Sequence, residues 1–139
     1  MILLIDTNVI LDIVLRREPF FNDSYLAILN TEENADLTLL SASAMTDLYY
    51  ILRKAMGPEP AKEALEDLQS LITYADVLQE DISEAFRSPI TDLEDALVAA
   101  VARRYKADYI VSRNKDDFAN AKVPVISPAE FNQMVGITT

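Results

Sequence analysis

Short continuous apolar runs alternate along the chain with longer stretches in which apolar residues recur every third or fourth position, the pattern of strands alternating with helices. Ile2-Leu3-Leu4-Ile5 is an unbroken apolar run ending at Asp6, as a strand buried on both faces would be. Asn8 is placed to cap an apolar helical segment from Val9 to Leu15, which Asp12 interrupts. Phe20 to Glu33 carries Tyr25, Leu26, Ile28 and Leu29 at helical spacing. Asp36 to Leu40 reads as a second strand, and Ser43 opens a helix that Gly57-Pro58 stops near Met56.

Glu59 to Thr73 places Ala61, Ala64, Leu65, Leu68, Leu71 and Ile72 on one stripe, a packing helix. Tyr74 to Leu78 predicts a strand and Asp81 to Arg87 a short surface helix. Thr91 or Asp92 caps a strong helix to Lys106, and Tyr109-Ile110-Val111 is a strand. Val123-Pro124-Val125-Ile126 is an edge strand in which Pro is tolerated, and Pro128 opens a closing helix through Val135 that Gly136 stops. This alternation predicts an α/β fold, a three-layer sandwich with a mostly parallel central sheet. With 139 residues and no repeat or linker, one domain over 1–139 is expected. No membrane span and no signal peptide is readable, so a soluble, cytoplasmic protein is expected.

Composition narrows the chemistry. The chain has no histidine and no cysteine, which removes an imidazole base, a Ser-His-Asp triad, a thiolate nucleophile and any Cys-containing zinc site. It carries 23 acidic and 12 basic residues, a net charge of −11, which argues against general adhesion to nucleic acid through a basic surface. The bases cluster as Arg16-Arg17, Arg53-Lys54, Arg103-Arg104 with Lys106, and Arg113 with Lys115. Each reads first as a solvated helix end or loop, and together they can rim a groove.

Four patches set acids beside strands or on helices: Asp6-Thr7-Asn8, Thr46-Asp47, Asp92-Leu93-Glu94-Asp95 and Asn114-Lys115-Asp116-Asp117. In an open α/β sheet the ligand crevice lies beyond the carboxyl ends of the strands, where Asp6 and the 114–117 segment both fall. Asp95 shares a helix face with Val98, Ala99 and Ala102, an expensive place for a charge that is neither paired nor metal-bound, although first-turn electrostatics is a competing reason for it. Asp47 sits among Ala44, Met45, Leu48 and Ile51, where the alternative is an exposed helical position. Converging carboxylates of this kind need protons or a cation, and Mg²⁺ or Mn²⁺, hard ions that take oxygen ligands, fit them. Such a cluster predicts that divalent metal raises the melting temperature and that Asp6→Asn does so without metal, with Asp81→Asn as an exposed control.

Ile-Asp-Thr-Asn-Val-Ile-Leu-Asp at 5–12, Ser-Ala-Ser-Ala-Met-Thr-Asp-Leu-Tyr-Tyr-Ile at 41–51, Leu-Glu-Asp-Ala-Leu-Val-Ala-Ala at 93–100 and Ile-Val-Ser-Arg-Asn-Lys-Asp-Asp-Phe at 110–118 resemble, in order, the four motifs of PIN domains. The resemblance implies a Mg²⁺- or Mn²⁺-dependent ribonuclease of the VapC toxin type or a close relative. It implies Asp6, Asp47, Asp95 and Asp117 as catalytic metal-site acids and Asn8, Thr46, Asp92, Asn114 and Asp116 in supporting roles, with Ser43 a further donor. Arg113 and Lys115 are the candidate RNA contacts. Two positions depart from the pattern: Asp47 stands where Glu is usual, and Asn114 where Asp is common, leaving Asp117 or Asn114 for the fourth acid. For a toxin the resemblance also implies a homodimer and a small antitoxin that threads a segment across the acids.

A phosphatase with its first Asp after a strand would want a second Asp where Asn8 stands, and no Asp-x-Asp-x-Asp-Gly calcium loop occurs. The remaining alternative is a weak or inactive PIN fold acting as an interaction module.

Overall fold

Successive residues of the first apolar run go to opposite faces of a sheet: Leu3 and Ile5 join one buried cluster and Leu4 the other. The computed structural model, which describes residues 1–136, repeats this division in each central strand. Strands β1 (Ile2–Ile5), β2 (Leu37–Ser41), β3 (Thr73–Ala75), β4 (Tyr109–Val111) and β5 (Val125–Ile126) form one wholly parallel sheet in the order β3-β2-β1-β4-β5. One face is covered by α1 (Thr7–Val14), α2 (Phe21–Asn34), α3 (Ala42–Met56), α4 (Pro58–Asp67) and α7 (Pro128–Met134), through residues such as Val9, Ile28, Leu48, Leu65 and Phe131. The other is covered by α5 (Gln79–Arg87) and α6 (Leu93–Arg104), where Ala96, Ala99 and Ala102 let α6 lie close to Leu4 and Ile110. The expected three-layer α/β sandwich is present.

Several local expectations move. Asp6, not Asn8, is the N-cap of α1: its carboxylate accepts from Thr7 N, and Asn8 lies inside the helix. The stripe after Gly57 breaks at Asp67 into a 3-10 turn, Leu68–Ser70, so that β3 starts at Thr73 and ends at Ala75. Asp92 is the cap of α6, accepting from Asp95 N at 3.0 Å. Residues 137–139, at the end of the expected single domain, lie outside the described residues.

Asp81 is a larger correction, because it is buried and not on an exposed helix face. Its two carboxylate oxygens each lie 3.0 Å from Arg104 Nε, and Oδ2 also accepts from Leu78 N at 2.9 Å. Asp81→Asn therefore serves poorly as a neutral control. It should lower stability in chemical denaturation by about 2 to 3 kcal/mol, below the usual cost of breaking a buried pair because Arg104 keeps Asp76 as a second partner.

Strand order positions the site. From β1 the chain crosses to β2 and β3 on one side, then returns to β4 and β5 on the other, so the order reverses between β1 and β4. A crevice opens at the carboxyl ends of those two strands.

Candidate active site

Asp6 is the residue immediately after β1, and Ser112 the residue immediately after β4; both are buried. Asp6 N donates to Val111 O at 2.9 Å, which extends the parallel ladder and brings the two strand ends together. Asp6 Oδ1 accepts from Thr7 N at 2.9 Å, and Oδ2 accepts from Ser112 Oγ at 2.8 Å and Asn8 Nδ2 at 3.2 Å. The carboxylate is thus held at fixed orientation by a helix cap, a hydroxyl and an amide. Burial nevertheless pushes its pKa above the ordinary value, against the lowering effect of Ser112 and Thr7.

The loop after β4 is tied down by the same residues and by one buried ion pair. Asn8 Oδ1 accepts from Arg113 N at 3.3 Å, and Ser112 Oγ accepts from Asn114 N at 3.0 Å. The Arg113 guanidinium forks onto the fully buried Asp12, Nε to Oδ2 at 2.6 Å and Nη2 to Oδ1 at 3.1 Å, and lies 3.8 Å from the Phe20 ring centroid. Ser24 Oγ donates to Asp12 Oδ2 at 3.1 Å.

Two adjoining clefts collect the acids, with Asp95 in the wall of both. One, of about 70 Å³, is lined by Asp6, Ser43, Asp47, Glu94 and Asp95, and the other, of about 190 Å³, by Asp92, Asp95, Asp116 and Asp117. Neither is lined by a lysine or arginine among the described residues. The electrostatic consequence falls on half-buried Asp95: desolvation first, then the charges of Asp92, Asp6, Asp117 and Glu94, push its pKa up to about 7. Glu94 is raised as well, chiefly by the charge of Asp47.

An all-oxygen, all-anionic donor set suits a hard divalent cation, so the residues fit the metal that the motifs imply. Among the described residues no three carboxylates stand as a ready ligating set. Mg²⁺ commonly keeps several waters and takes one or two carboxylates plus a substrate phosphate, so a full protein cage is not required of a site for it.

Metal-free stability should accordingly fall with rising pH. Between the ordinary carboxylate value of 3.8 and about 7 the folded Asp95 holds a proton that the unfolded chain has released, so its contribution is fully present below the lower value and lost through the upper. Discounted for solvent screening, the loss is on the order of 1 kcal/mol. Melting temperatures should drop a few degrees between about pH 5 and about pH 8, and millimolar Mn²⁺ should flatten the dependence. A pH-independent melting curve without metal would contradict the placement of the acids.

A family profile described as the PIN domain matches residues 3–116. The chain belongs to the PIN-domain family. Solved structures agree in fold. A chain of VapBC-1 from nontypeable Haemophilus influenzae matches with a TM-score of 0.71 at 16% identity, over 92% of this chain and 98% of that one. A chain of VapBC2 from Rickettsia felis, bound to a promoter DNA fragment, matches at 0.69 and 18%, over 91% and 98%. A chain of a toxin-antitoxin complex from Klebsiella pneumoniae matches at 0.68 and 21%, over 90% and 96%. No curated protein sequence matches significantly. The PIN domains are a family of nucleases, and no helix among the described residues of this one is long and apolar enough to cross a membrane.

Within this PIN domain the four acids expected from the motifs line the two clefts, together with Asp92, Asp116 and Ser43. Thr46 does not: it turns toward the groove between α3 and α4 with Met45 and Tyr49. Asn114 lines neither cleft and precedes the 3-10 turn Lys115–Phe118, whereas the charge of Asp117 reaches both Asp6 and Asp95. Arg113 is committed to Asp12, and Lys115 makes an exposed pair with Glu130 at 2.9 Å. An exposed pair of that kind is weak enough to release the ammonium to a phosphate.

Three further residues belong to the site without a motif that singles them out. Ser112 has one signal in sequence, its equivalence to Asp6 as the first residue past a strand. Glu94 lies inside an acidic patch, where nothing local separates a cleft-lining acid from a solvated one. Asp12 is visible as an acid interrupting an apolar run four residues after Asn8, but its partner is not legible in sequence.

Proposed function

We propose that this PIN domain is a metal-dependent ribonuclease, the toxin of a toxin-antitoxin pair, that hydrolyses RNA phosphodiester bonds. The observation that carries the reading is the convergence of Asp6, Asp47, Asp95 and Asp117, from four separate segments, on adjoining clefts at the sheet's switch point, with no lysine or arginine among the described residues lining them. Asp6 and Asp95 would hold Mg²⁺ or Mn²⁺, with Asp47 and Asp117 completing the site or orienting water. The bound ion supplies an acidified water and charge neutralisation at the phosphate. Thr7 N, Ser112 and Asn8 keep Asp6 aimed, so little reorganisation is needed as the reaction proceeds. With no histidine in the chain, carboxylates and water would take the proton from the attacking water as its oxygen bonds to phosphorus, and return one to the 3′ oxygen as the P–O3′ bond breaks.

An antitoxin partner is supported by the complexes in which the fold neighbours were solved, and a homodimer and cytoplasmic location belong to the same reading. The test is cleavage of single-stranded RNA with Mn²⁺ and with EDTA: cleavage is expected only with metal. The second reading, an interaction module that binds without cutting, draws on the departures at Asp47 and Asn114. It becomes the better one if no RNA is cut in Mn²⁺.

A further inference from the structure

Carboxylate clefts repel a polyanion, and a chain of net charge −11 offers it little general attraction, so a strand entering the site must be held by local cations. The cations of the loop that follows β4 are engaged: Arg113 by Asp12 and Lys115 by Glu130. A third cavity differs. It has a volume of about 390 Å³ and adjoins the cleft of Asp92 and Asp117, sharing Ile90 and Asn120 as wall. Its floor is the small side chains of Ala96, Ala99 and Ala100, and Arg87, Arg103 and Lys122 also line it.

One face of α6 connects the two. Asp92, Ala96, Ala99 and Arg103 follow one another at helical spacing, so the acids at the N-terminal end and Arg103 at the other are separated by about 16 Å along the axis. Arg87 and Lys122 make no ion pair among the described residues, and half-exposed Arg103 is held only by Glu84, at 2.6 Å. Cations left free beside a small-residue floor, a few nucleotides' reach from the carboxylates, match the phosphates of a single strand.

We propose that this cavity is a backbone subsite for the RNA strand, in which Arg87, Arg103 and Lys122 bind phosphates a few nucleotides from the scissile bond. That the polyanion is RNA rests on the nuclease reading above. Glu84, the one acid lining the cavity among the described residues, occupies Arg103 until a phosphate displaces it.

The experiment compares the parent chain, an Arg87→Ala/Lys122→Ala double variant and Glu84→Gln. Binding of a labelled single-stranded oligoribonucleotide is followed by fluorescence anisotropy in EDTA over a range of salt. Hydrolysis of bis(p-nitrophenyl) phosphate, too small to span both cavities, is followed in Mn²⁺. The double variant should bind RNA at least tenfold more weakly, with a salt slope shallower by about 1.4, or ~0.7 for each phosphate no longer neutralised. Glu84→Gln should bind severalfold more tightly, a change of sign that misfolding cannot produce. Diester hydrolysis should be the same in all three. An unchanged RNA affinity and salt slope in the double variant overturns the subsite. An oligoglutamate peptide that needs Arg87 and Lys122 for binding while RNA does not overturns it in favour of a protein partner. If no form cuts RNA or hydrolyses the diester in Mn²⁺ but RNA affinity still depends on the two cations, the nuclease reading falls and the strand-binding subsite stands.

Discussion

Asp95→Asn is expected to lower Mn²⁺-dependent cleavage of single-stranded RNA by about a hundredfold or more while raising the melting temperature of the metal-free protein. The two effects have one cause. Asp95 stands in the wall of both clefts, and desolvation plus four neighbouring carboxylates disfavour its charge. An amide relieves that repulsion and forfeits the anionic oxygen that a divalent ion needs. Asp6→Asn should lose as much cleavage without the gain in stability expected from like-charge repulsion alone. Asp6 accepts from Ser112 Oγ, Asn8 Nδ2 and Thr7 N, so an amide nitrogen at Oδ2 would set donor against donor. Asp117→Asn should impair cleavage more than Asn114→Ala, because only Asp117 lines a cleft. Single-turnover rates and melting curves on the four variants provide the check. Asp117→Asn cutting at the parental rate while Asn114→Ala is dead would sink this allocation of the fourth motif.

Asp12→Ala should destabilise the fold by about 3 kcal/mol or more, at the lower end of the cost of breaking a buried pair because Arg113 is partly open to solvent. Asp12 is fully buried, takes both arms of the Arg113 fork and the Ser24 hydroxyl, and has no solvent to replace them. The damage should also reach the site, since Arg113 anchors the loop that carries Ser112 to Asp6. Pairing Asp12→Leu with Arg113→Met should recover much of the stability, as apolar replacements of buried ion pairs do. RNA cleavage should stay depressed in that double variant, because the tether is not restored. Urea denaturation beside cleavage rates separates the two effects. A stable, fully active Asp12→Ala protein would show the pair to be dispensable.

What sequence determined here was local. The four-residue apolar run Ile2–Ile5 ending at Asp6 specifies a strand with an acid at the crevice, and 3.6-residue periodicity specifies α2, α3 and α6 with their buried faces. The alternation itself implies parallel strands and crossovers, hence three layers. Cap identity is less legible: Asp6 and Asn8 are both good caps, and the choice goes to Asp6 because β1 ends at Ile5 and the helix already begins at Thr7. Only the tertiary structure decided who stands beside whom. Strand order put Ser112 and Asp6 side by side across 106 residues and Arg113 on Asp12 across 101, and the packing of α6 on α5 put Arg104 on Asp81 across 23. None of these pairings leaves a periodicity, since a carboxylate on a helix reads the same whether it faces water, a guanidinium or other carboxylates. The distinction is made by burial and by the charges that distant segments bring, which is why Asp81 reads as surface and Asp12 as an interruption, while Asp6, Asp47, Asp95 and Asp117 can be named from their motifs but their neighbours cannot.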